Sequence, residues 1–253
     1  MRPLRQWFLL LAIPFAAAIG AGHSAVAEVD HAEQYKACLA LVHRQPQQAY
    51  ESAEAWEDKG GGVWARHCAA LALFELGFLT ESAERLETLA GALPSDSRVR
   101  PATLLAQAAN VWLLADDLER AKLTIAVAEK MAPKDATILV DKARILADGG
   151  GYEEALKALD RAVWLAPNDD DAHAFRAGAL RRLGQPKAAL AAAEAALELN
   201  PENAAAWLER GFARQALGDL DGAEADWGET TRRFNGTPAA DVARAQLEAL
   251  ERR

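Results

Sequence analysis

The sequence predicts an all-α chain built as a stack of helical hairpins, and three observations carry that prediction. Pro133, Pro167 and Pro201 recur at a strict interval of 34 residues, and Asp135, Asp169 and Asn203 keep the same interval. Small residues recur in step with them: Ala143, Ala177 and Gly211, then Gly150, Gly184 and Gly218, then Ala155, Ala189 and Ala223. A fixed period of about 34 with small residues at set places marks an array of helix–turn–helix units. The chain is also rich in Ala, Leu, Glu and Arg, all good helix formers, and poor in Val, Ile, Thr and Tyr.

Taken in order, residues 1–27 read as a targeting segment. Arg2 and Arg5 begin it, Trp7 to Ile19 is an apolar run broken by Pro14, and Ala25-Val26-Ala27 offers a small-x-small cleavage site. Thirteen apolar residues are fewer than the ~20 that a membrane-spanning helix needs. No cysteine lies at the cleavage site to take a lipid. The expectation is export to the periplasm or beyond, without stable membrane insertion after cleavage. Loss of the two arginines takes the net charge from −9 to −11.

Units of two helices are expected over 30–62, 63–96, 102–135, 136–169, 170–203 and 204–237, with a capping helix over 238–251. The first is divergent and ends at Gly60-Gly61-Gly62. In the second, Gly77 is the turn and Ser82 stands where alanine is usual. Pro94 to Pro133 is 39 residues, so the phase slips by five, and Ser95 to Pro101 reads as a longer loop. The third unit has Asp116 where glycine is usual. The last three carry the period most clearly, and Pro186 suits the first turn of a helix. Asp135, Asp169 and Asn203 each suit the cap of the helix that follows.

These residues resemble the tetratricopeptide repeat family, from about residue 30 to 251. The resemblance implies a right-handed superhelical solenoid of about six hairpins whose first helices line a concave groove where partner segments lie. Carried over position by position, the groove would present Trp64, His67, Leu71 and Phe74, then Asn110, Leu113 and Leu114. It would continue with Arg144 and Asp148, Arg181 and Arg182, and finally Leu208, Phe212 and Gln215. An apolar N-terminal stretch and a basic centre would suit a segment with an apolar part and an acidic group, since arginine pairs with carboxylates through parallel hydrogen bonds. The clamp of chaperone-tail-binding relatives is absent, because Ala106 and Asp171 stand where lysines are needed.

Catalytic patterns are missing: there is no H-E-x-x-H, no G-x-S-x-G and no Gly-rich phosphate loop after a strand. No cofactor is expected. The acidic balance disfavours nucleic acid, which needs a positive footprint. His31, Cys38, His43, His67 and Cys68 gather in the first two units. The cysteines read either as small buried residues or as a Cys38–Cys68 disulfide between adjacent first helices. A thiol- or metal-handling role is the alternative function, although no spacing matches a zinc pattern. The main reading is a non-enzymatic scaffold for another protein in the cell envelope. Its oligomeric state is open, with Trp56 and Trp64 as aromatic surfaces to consider.

Overall fold

A computed structural model describes residues 31–93 and 99–252. The targeting segment and Pro94 lie outside the described residues. Thirteen helices and no strand occur among those described. In chain order they are α1 (His31–Val42), α2 (Pro46–Glu57), α3 (Gly62–Glu75), α4 (Leu79–Ala92), α5 (Pro101–Leu114), α6 (Leu118–Met131) and α7 (Ala136–Asp148). Then follow α8 (Tyr152–Leu165), α9 (Asp170–Arg182), α10 (Pro186–Leu199), α11 (Ala204–Ala216), α12 (Leu220–Arg233) and α13 (Pro238–Glu251). The array is all-α: six hairpins followed by one further helix.

Local chemistry sets the ends of these helices. Asp135 accepts hydrogen bonds from the amides of Thr137 and Ile138, Asp169 from Ala172 and Asn203 from Ala206. Each satisfies amides that the first helical turn leaves without an intrahelical partner. Pro46, Pro101, Pro186 and Pro238 open α2, α5, α10 and α13, where a missing N–H costs nothing. Within hairpins the chain reverses through a residue of positive φ, Gly150 at 77° and Gly184 at 71° among them. The third unit makes the same reversal at Asp116, with φ 61°, a conformation aspartate tolerates better than most side chains.

Packing is between neighbours. Each first helix lies on its own second helix, and each second helix lies on the first helix of the next unit. First helices α7, α9, α11 and α13 also meet in succession. The junction between units two and three differs. There α5 packs on α4, and α3 reaches α5 through a hydrogen bond of 2.9 Å between His67 and Gln107.

The crossings inside hairpins show size compensation. Ala143 faces a cluster with Leu159 on α8, and Ala177 shares a cluster with Ala193 on α10. At the equivalent place in the last unit, Gly211 lies against Trp227: a Cβ on Gly211 would stand 2.4 Å from the indole Nε1. Ser82 takes the alanine place in α4 by donating its hydroxyl to the Ala70 carbonyl at 2.7 Å, so its buried oxygen is satisfied. The last hairpin carries a buried carboxylate as well. Asp226 on α12 is 2% exposed and is held by Arg210 and Arg214 of α11.

Candidate functional site

A groove of about 510 Å³ runs over the first helices of units four to six and ends at α13. Its floor is apolar, formed by Ala143, Ala174, Phe175, Leu208 and Val242. Arg144 and Asp148 of α7 and Arg181 and Arg182 of α9 line it, as does Glu209 of α11. Three arginines against two carboxylates leave this surface one positive charge, on a chain of net charge −9.

The three arginines are held differently. Arg181 donates to both oxygens of Glu209, at 2.6 and 3.1 Å, and lies 4.5 Å above the Phe212 ring. Glu209 raises the Arg181 pKa further against the opposing effect of burial, so this pair is a bolt between α9 and α11. Gly178 makes room for it, since a Cβ there would be 3.3 Å from a Glu209 oxygen. Arg182 lies over the Tyr152 ring at 5.2 Å and has no carboxylate within salt-bridge distance among the described residues. Arg144 lies over Phe175 at 5.6 Å, with Asp141 at a long 3.5 Å. A guanidinium stacked on a ring keeps its edge N–H groups available for a carboxylate.

The basic centre expected from the sequence is thus reduced by one, because Arg181 is spent on Glu209. Neither Glu209 nor Tyr152 was singled out by sequence reasoning. Glu209 shares a register with Phe175 and Asp141, 34 and 68 residues earlier. That register lies beside the arginine positions on the same helix face and held the missing signal.

The N-terminal positions are placed otherwise. Trp64 is half-buried against Tyr35, ring centroids 4.9 Å apart. Leu71 packs on the cluster around Cys38 and Cys68, while Phe74 and Leu113 pack on the cluster around Trp112. Leu114 is 61% exposed. Asn110 hydrogen-bonds Asp141, and its own Oδ1 is buried without a partner. Burial pushes the Asp141 carboxyl above its usual range, against the opposing pull of Asn110 and Arg144. Phe212 is half-buried between Arg181 and Trp227, and Gln215 is half-buried. Trp56 is 3% exposed, so it offers no surface to a second copy.

His67 is buried and ties three first helices together. Nε2 meets Gln107 Oε1, an acceptor, at 2.9 Å, so Nε2 carries the proton. Nδ1 is then free to accept the Tyr35 hydroxyl at 2.6 Å. Burial holds the His67 pKa below the ordinary 6.5, with the Gln107 bond acting the other way. A folded pKa below the unfolded one gives stability that is present above pH 6.5 and lost as pH falls through the folded value. The first units are therefore expected to loosen between pH 7.5 and 5 (about one to two units either side of the ordinary value), and His67→Gln to flatten that dependence. Hydrogen exchange over α1 and α3 at the two pH values is the check; equal slopes for both proteins would contradict it.

The other histidines and cysteines of this region do not converge. His43 pairs with Glu75 at 2.8 Å, and His31 takes the Trp56 indole N–H at 3.3 Å. Cys38 and Cys68 form a disulfide with Cα atoms 6.3 Å apart. Among the described residues no group of three or more His, Cys, Asp or Glu could hold a metal ion. None of their helices is long and apolar enough to cross a membrane.

Residues 170–213 match the tetratricopeptide repeat family model. Solved structures agree over a longer span. MamA from Desulfovibrio magneticus RS-1 superposes with a TM-score of 0.57 at 19% identity, covering 70% of this chain and 97% of that one. The fold is a tetratricopeptide repeat solenoid. The pilF protein of Pseudomonas aeruginosa shares it, with a TM-score of 0.64 at 15% identity over 85% of this chain and 97% of its own. At these identities the likeness concerns the tetratricopeptide repeat architecture. No curated protein sequence matches the chain.

Proposed function

We propose that the chain is an exported, non-catalytic scaffold that holds a segment of another protein in the concave groove of units four to six. The observation that carries this reading is the apolar floor flanked by two ring-stacked arginines, one of them without a carboxylate partner among the described residues. Such a surface favours a segment with an apolar side chain beside an acidic one. Export is favoured by the apolar run Trp7–Ile19, and by a disulfide, which persists in oxidising compartments.

The test is capture of a partner from a cell-envelope extract by the tagged chain. Arg144→Glu with Arg182→Glu is expected to cut recovery about tenfold, equivalent to about 1.4 kcal/mol. Unchanged recovery would remove the groove from the account. Arg181→Ala is expected to act first on stability, through loss of the Glu209 bolt. A shared loss of recovery and of folded protein would therefore separate the two roles.

A further inference from the structure

We propose that the Cys38–Cys68 bond is a redox latch on the first helix: reducing it releases α1 from α3 while α3 to α13 stay stacked. The bond joins the first helices of two adjacent units and closes a sequence separation of 30 residues. In α1 the buried residues are Cys38 and Val42, whereas α3 buries seven residues, from Ala65 to Leu73. α1, the first of the described helices, therefore has one of its two buried side chains in the bond itself. α1 is 12 residues long, a length at which a helix without tertiary support is marginal in water. What joins it to α3 besides the bond includes the Tyr35–His67 hydrogen bond and the Tyr35–Trp64 ring contact. α2 packs on both α1 and α3, and its Trp56 donates the indole N–H to His31 of α1.

Access follows from position. Cys38 is 5% exposed and Cys68 is fully covered, so a reductant meets the bond when α1 lifts at its end. Terminal units of a nearest-neighbour array open most easily. The reductant is a dithiol. Its thiolate attacks Sγ of Cys38, the Sγ–Sγ bond breaks, and Cys68 leaves as a thiolate and takes a proton. The second thiol of the reductant resolves the mixed disulfide, freeing Cys38 as a thiol and closing the reductant into its own disulfide. Two electrons and two protons pass to the protein. The released helix uncovers Trp64 and His67. The groove lies on α7 to α13, so the latch stands or falls independently of the partner reading.

Hydrogen exchange with mass spectrometry on the whole chain, with and without dithiothreitol, tests the latch. On reduction, amides of residues 31–42 are expected to exchange at least tenfold faster, those of α3 to α13 to keep their rates, and reoxidation to restore the first state. The double variant Cys38→Ala, Cys68→Ala is expected to show the fast rates without reductant. Four results would overturn the latch: α1 equally protected after reduction, a bond that dithiothreitol does not reduce in the folded chain, loss of protection across the whole array, or a double variant that fails to fold. The last two would make the bond a brace for the entire structure.

Discussion

Replacing Asp226 with alanine is expected to lower the stability of the array by about 3–5 kcal/mol, the usual cost of breaking a buried ion pair from one side. Arg210 donates to both carboxylate oxygens, at 3.0 and 2.7 Å, and Arg214 adds a contact of 2.9 Å. The two guanidinium groups are themselves mostly covered, with side chains 17% and 26% exposed. Without the carboxylate they face one another, with Asp219, 3.9 Å from Arg214, as the remaining anion nearby. Asp226→Asn keeps the volume and removes the charge, so its loss is expected to be smaller than that of the alanine variant. Urea unfolding followed by circular dichroism measures both. A loss below about 1 kcal/mol for Asp226→Ala would mean that the arginines turn out to water and the site is a surface pair in effect. The damage is expected to concentrate in α11 to α13, because stability in such an array passes between neighbours.

Removing the Trp227 side chain is expected to cost about 3–5 kcal/mol, the range for truncating a large buried aromatic. The indole is fully buried, packed edge-on to Phe212 at 5.3 Å, and fills the space that Gly211 leaves. Gly211→Ala tests the same contact from the other side. Alanine favours a helix over glycine by about 1 kcal/mol. Here the new methyl would meet the indole at 2.4 Å, so overpacking of about 1–3 kcal/mol opposes that gain. The combination Gly211→Ala with Trp227→Leu copies the Ala143–Leu159 pair of the fourth unit. It is expected to cost less than the two single changes added together. Strict additivity in thermal unfolding would show that the two residues do not share one space.

The phase of the last three hairpins was legible because capping residues, turn glycines and crossing residues all repeat together. Backbone geometry imposes each of them, and backbone geometry is the same in every unit. Asp116 could be read as a turn residue from its phase alone, although its type gave no help. Side chains that reach across to the next first helix were not legible. A repeat register says that His67 and Arg181 share a face with the groove. It does not say that Gln107 and Glu209 stand close enough to claim them. The same blindness hid the burial of Trp56, which depends on how α1 lies over it through His31. In the crossing pair both Gly211 and Trp227 fall on phase, but phase does not give their contact, which explains why even alanine was too big.

The meeting of α3 with α5 through His67 and Gln107 has a mechanical consequence. Elsewhere consecutive first helices also pack on one another directly, although less than each packs on the second helices beside it. At this junction α3 and α5 meet mainly through the His67–Gln107 bond, while α4 packs on α5 and the shared apolar cluster takes in Phe74 of α3. A small tilt of α3 against α5 is thus expected to pivot on the α4–α5 packing and to strain the Gln107 bond first.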